Sequence, residues 1–311
     1  MIDFRYHLIS IVAIFLALAV GIALGAGPLK GGLDQQLVNQ AEQDREDKVA
    51  LRAELDQLGL TAGFQDDFAQ AVAPDLLDSR LEGRTVAVVL LPGADPDIAA
   101  DLADDAAEAG GTVTGTIQVQ PGLVDPQNRQ VAEGLATSVL DGVSGGPDIA
   151  GASSYQLVGY SLARGFLSTR PQGAPVDVAA QTAAASYREA GYVTTERDVQ
   201  RRAGLAVVIT AEPEQFEPGQ DELVTTLVQA MDAASGGVVV AGSASSGVEG
   251  GYVQVIRSSD VAQEVSTVDV ADTAAGRVAT VLALAEQAAG RAGQYGSADA
   301  ADGALPGTAG P

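Results

Sequence analysis

The sequence predicts an α/β fold, a mostly parallel sheet with helices on both faces, preceded by one N-terminal transmembrane helix and a short coiled-coil stalk. Leu8 to Gly27 is an uncharged run of 20 residues. Residues 33–62 are polar, with apolar side chains at alternating steps of four and three. Beyond Arg84, short continuous apolar runs alternate with amphipathic stretches, as expected of strands buried on both faces between helices. The chain therefore divides into a flank (1–7), a transmembrane helix (8–27), a polar helical stalk (28–66), a globular α/β domain (67–291) and a disordered tail (292–311).

At about 1.5 Å per residue, the run from Leu8 to Gly27 spans roughly 30 Å, the thickness of a bilayer core. Pro28 ends it, because its ring cannot donate the next backbone hydrogen bond. An uncleaved anchor and a cleaved signal peptide both begin this way. The anchor fits better: Asp3 offsets Arg5, and the apolar run exceeds the usual signal-peptide core. Arg5 and the α-amino group precede the span while Lys30 and Arg45 follow it, so flanking charge decides little about orientation. Ala13, Ala17, Gly21 and Gly25 recur every fourth residue, and small side chains at that spacing let two helices approach closely in lipid. A chain with 37 Gly also generates such stripes by composition alone.

In the stalk, Leu37, Ala41, Leu51, Leu55, Leu58 and Ala62 fall on one heptad seam, with Asp44 and Lys48 in the same seam. That pattern predicts a short, imperfect coiled coil, with a lone amphipathic helix as the alternative. A parallel pair of stalks leaving a parallel pair of anchors predicts a homodimer through both.

In the globular part, Thr85–Leu91 reads as a buried strand and Val113–Val119 as a second. Between them, Asp95 caps a helix with Pro96 in its first turn, and Gly110-Gly111 stop it. Helices are expected at 126–141, 155–168 and 175–190. A second strand–helix–strand unit follows at 205–210, 221–235 and 238–241, with Leu223, Leu227 and Met231 as the buried stripe of its helix. Strands are expected near 252–257 and 265–268, then a helix over 272–290. The tail from Ala292 has no periodicity and reads as disordered.

Composition removes whole classes of function. The net charge of −24 repels nucleic acid. There is no Cys, Lys occurs only at positions 30 and 48, and the one His is His7. The region beyond residue 60 therefore offers no His or Lys to activate a Ser nucleophile and leaves only carboxylates and Tyr for acid–base work, so a non-catalytic protein without a cofactor is expected. Neither a GxGxxG nor a GxxxxGK[ST] motif occurs. The small-residue loop 241–247 and the turn at Gly93 could present N–H groups to an anion, yet both also read as plain strand-end turns. Asp97, Asp101, Asp104, Asp105 and Glu108 form an acidic stripe without the looped spacing of a calcium site, so a solvated helix face is expected. Soft copper prefers thiolate, thioether or imidazole, and Met231 is the only such group after residue 60, placed by its spacing in the core. No catalytic, cofactor or metal residue is assigned.

The opening MIDFRYHLISIVAIFLALAVGIALG, the segment RTVAVVLLPGAD and the closing STVDVADTAAGRVATVLALAEQAAGRAGQYG resemble the actinobacterial MctB family of copper transport outer membrane proteins. The resemblance spans nearly the whole chain. It implies a single-pass protein of the cell envelope, its soluble domain on the outer, periplasmic side, serving copper efflux or homeostasis. Some relatives resemble partners in cell division and septal wall remodelling, so an envelope or channel protein partner is implied. A membrane β-barrel would need alternating strands and aromatic girdles, whereas this chain has short apolar strands, 13 aromatics and no Trp.

Overall fold

The computed structural model describes residues 4–25, 29–141, 143, 149–212, 220–298, 300 and 302–307. The chain divides into two compact units between Phe64 and Gln65.

The first unit is helical. Helix α1 (Phe4–Gly25) carries the apolar run, and 20 of its residues, Tyr6–Gly25, are long and apolar enough to cross a membrane. Pro28, the expected stop, lies outside the described residues. Helix α2 (Leu29–Leu77) is one helix of 49 residues and contains the expected stalk from Leu29 onward. It extends well beyond residue 66, into the second unit, where Ala73 and Leu77 join an apolar core. Pro74 sits inside this last stretch and still accepts a hydrogen bond, from the Asp78 N–H at 3.0 Å. The coiled coil remains an expectation.

In the second unit, strand β1 (Thr85–Leu90) leads through α3 (Pro96–Glu108) to β2 (Thr112–Val119). The middle of the chain supplies α4 (Arg129–Leu140), α5 (Ser154–Phe166), β3 (Ala174–Pro175), α6 (Val178–Glu189), β4 (Val193–Thr195) and β5 (Arg201–Arg202). Then follow β6 (Leu205–Ile209), α7 (Gln220–Ala233), β7 (Val238–Ala241), α8 (Tyr252–Arg257), β8 (Ser266–Val268), α9 (Ala274–Gln287) and β9 (Gln294–Tyr295). Among the described residues the main sheet has seven strands in the order β4-β2-β1-β6-β7-β8-β9. All neighbours run parallel except β4, which pairs antiparallel with β2. β3 and β5 form a separate antiparallel pair.

Alternating residues of the central strands feed two cores. Ala87, Val89, Ala206, Val208, Val238 and Val240 face α4, α5, α7 and α8. Val86, Val88, Leu205, Val207, Ile209 and Val239 face α3, α9 and the end of α2. A strand covered on both sides has no polar positions, which is why these runs are continuously apolar.

Three expectations require correction. Residues 252–257 form α8 and not a strand: Tyr252, Val253 and Ile256 are the buried positions, a helical spacing that the local Val-Gln-Val alternation disguised. The expected helix over 126–141 begins as a 3-10 turn (Pro126–Asn128), capped by Asp125, before α4. The tail contributes β9, which pairs parallel with β8. The short edge strand β4 was not foreseen; three residues carry too little period to register.

Candidate functional site

The small-residue face of α1 is open. Ala13, Ala17, Gly21 and Gly25 are all exposed, and a Cβ added at Gly21 or Gly25 would have no atom within 4 Å. On α2, Ala41, Leu51, Leu55, Leu58 and Ala62 are exposed along the expected seam, while the Leu37 side chain lies outside the described residues. Val49, Leu60 and Phe64 are exposed as well, and at about 100° per residue they fall on the opposite side of the helix from Leu51 and Leu58. A single-seam heptad reading passes over that second stripe.

The second unit has a cleft of about 420 Å³ beyond the carboxyl ends of its parallel strands. β1 is flanked by β2 and β6, so the strand order reverses there, the place where open α/β sheets form a crevice. Leu91 N–H bonds the Ile209 carbonyl at 2.9 Å and aligns the two strand ends. After β1 the chain turns at Gly93, whose φ of 81° suits a residue without a Cβ. Asp95 then caps α3, accepting from the Asp97 N–H at 2.8 Å. Ala94, Pro96 and Ile98 form an apolar wall of the cleft.

Thr210 and Glu212 reach the same cleft from the end of β6, Ser243 from β7 and Asp272 from β8. Thr210 is 4% exposed, and its Oγ1 has no hydrogen-bond partner. The Glu212 carboxylate accepts from the Ser243 hydroxyl at 2.5 Å and from the Ser245 hydroxyl. These two bonds hold its pKa below the usual carboxylate value. Partial burial raises the Asp272 carboxyl, and the nearby charges of Glu212, Asp269 and Asp66 push the same way. The loop 241–247 is thus a turn, with a 3-10 segment at Ala244–Gly247, whose hydroxyls serve Glu212 of the same chain.

The acidic stripe on α3 is only partly solvated. Arg277 of α9 meets Asp101 at 3.2 Å and Asp105 at 3.1 Å, so two stripe residues bind one helix to the next. Met231 is 2% exposed, in the core as expected. No group of three His, Cys, Asp or Glu side chains converges to hold a metal among the described residues.

Residues 1–306 match the family model described as copper transport outer membrane protein, MctB. The chain belongs to the MctB family. Copper transporter MctB of Mycobacterium tuberculosis strain H37Rv is 29% identical over 96% of this chain and 96% of that protein. Copper transporter MctB of Mycobacterium bovis gives the same values, and that of Mycobacterium leprae is 27% identical over 95% of this chain and 96% of its own length.

The MctB match takes in the apolar helix, α2 and the α/β unit together, and with them a place at an envelope membrane. The soft ligands that copper favours are nevertheless sparse in this MctB-family chain. Beyond residue 60 it has neither Cys nor His, and its one thioether there is buried. Exposed instead are the apolar α1, apolar stripes on the otherwise polar α2, and a cleft that carries Glu212 and Asp272.

Proposed function

We propose that the chain is a single-pass envelope protein that assists copper efflux or homeostasis without catalysis, its α/β unit on the outer, periplasmic side of the membrane. Membership of the MctB family over residues 1–306 is the observation that carries this reading. The role is assistance to a conducting partner. The strands belong to a sheet interleaved with helices, and Tyr6–Gly25 is the one candidate membrane span among the described residues. Non-catalytic action is supported by a domain without His, Lys or Cys, in which the Ser hydroxyls beside Glu212 meet only a carboxylate held in its weakly basic, ionised form.

The deciding experiment measures total cell-associated copper in a deletion strain and its complemented parent, grown in mildly elevated copper. A several-fold rise in the deletion strain, reversed by complementation, is expected. Equal copper in the two strains would remove the copper role.

A second reading has its own support. The exposed apolar stripes of α1 and α2 suit a scaffold that joins copies of itself and recruits envelope proteins of cell division or septal wall remodelling. Cross-linking in cells followed by capture of the full chain should then recover division or wall proteins, and recovery of none would remove this alternative.

A further inference from the structure

The cleft at the strand ends is built for something other than a metal or an anion. Helix N-termini ordinarily favour anions, but here the chain's own acceptors occupy those positions. Asp95 takes the Asp97 N–H of α3, Thr273 takes the Gly276 N–H of α9 at 3.0 Å, and Asp66 takes the Ala274 N–H at 2.6 Å. What faces the cleft is a surplus of acceptors: the remaining lone pairs of Glu212, the Asp272 carboxyl and the Ser243 hydroxyl, whose proton is already given to Glu212. Thr210, nine-tenths buried and lining the same space, adds a hydroxyl without a partner.

A hard metal ion would need more carboxylates than converge here. The opposite wall is aliphatic, formed by Ala94, Pro96 and Ile98. A volume of about 420 Å³ lies within the range of small-molecule sites.

We propose that this cleft binds a small aliphatic ammonium compound, with its N–H groups on Glu212 and Asp272 and its alkyl body against Ala94, Pro96 and Ile98. The head supplies the donors that the acceptor surplus lacks, and the methylene chain covers the apolar wall. The ammonium charge relieves the repulsion between the two carboxylates, and the Thr210 hydroxyl accepts or relays a further hydrogen bond. This site is independent of the copper reading, because it concerns binding to the purified chain and not the copper content of cells.

The test is isothermal titration calorimetry on the full chain in detergent micelles, with butylammonium and 1,4-diaminobutane as probes and sodium chloride held constant. Saturable binding to one site is expected, weakened at least tenfold by Glu212→Gln and by Asp272→Asn. Tetramethylammonium, which has the charge but no N–H group, should bind at least tenfold more weakly than butylammonium. Equal affinity for the two cations, or affinity unchanged in both variants, would reduce the effect to counterion attraction by an acidic surface and overturn the proposal. So would binding of magnesium or inorganic phosphate in place of the amines. If loss of the serine contacts unfolds Glu212→Gln, the exposed Asp272→Asn substitution carries the comparison.

Discussion

Arg257 and Asp269 meet at 2.8 Å with side chains 7% and 0% exposed, and this pair fastens the last strand to the sheet. Arg257 also donates to the carbonyls of Tyr295, at 2.6 Å, and Ala298. Asp269 accepts from the N–H groups of Ser297 at 2.7 Å and Ala298 at 2.8 Å. Removing one member leaves the other charge buried without its partner. Asp269→Ala and Arg257→Ala should each therefore cost about 3–5 kcal/mol. Urea unfolding measures that loss, and limited proteolysis should show early cleavage after residue 290. A cost under about 1 kcal/mol would mean the pair is solvated in practice.

Helix α5 approaches α7 through Gly159. A Cβ there would stand 2.5 Å from the Ala230 Cβ and 2.9 Å from the Leu227 carbonyl, with backbone on one side and no flexible side chain to yield. Gly159→Ala should destabilise the fold by about 1–3 kcal/mol. Adding Ala230→Gly should recover part of that loss, as a double-mutant cycle by urea denaturation would show.

Asp232 gives the fold a pH dependence of known sign. Its carboxylate accepts from the Val238 N–H at 2.9 Å, yet burial, aided by Glu264, pushes its pKa up from 3.8 to about 6. The folded state thus holds the proton more tightly than the unfolded chain. The associated stability is present in full below pH 3.8 and is lost as pH rises through 6. Its size is on the order of 3 kcal/mol. Asp232→Asn keeps the acceptor and removes the charge, so it should raise stability at pH 7 and flatten the profile between pH 4 and 7. An unchanged profile would assign the slope to other carboxyls.

The open faces of the first unit predict self-association in a membrane. Gly21→Leu with Gly25→Leu should weaken dimers in bilayers several-fold, because each added side chain holds two backbones apart. Leu55→Asp should act similarly through α2. Energy transfer between labelled chains in vesicles reads both, and transfer unaltered by either change would leave the two helices as independent anchors and spacers.

Much of the fold was legible because the central strands are buried on both faces. The runs at β1, β6 and β7 have no competing helical stripe, and the capping residue Asp95 marks α3 directly. Misreadings concentrate where elements are too short for a period to show. Six residues of α8 contain a chance alternation, and β9 has two residues whose order comes from Arg257, distant in sequence and visible only once folded. The cleft was legible as two separate strand-end turns, at Gly93 and at 241–247. That both meet Thr210, Glu212 and Asp272 depends on strand order, which local sequence does not encode. The acidic stripe likewise looked solvated because Arg277, its partner, lies far along the chain.

The attachment of β9 also bears on when the protein can finish folding. Asp269 and Arg257 leave the ribosome well before the residues that complete their hydrogen bonds, Tyr295 to Ala298. Until that final segment emerges, the sheet ends at β8, with a raw edge and an ion pair short of backbone partners. A chain that stopped before Gln294 would have nearly all of its core and yet lack its closing stitch. Completion of the sheet is thereby tied to the arrival of residues 294–298, which close its edge from the far side of α9.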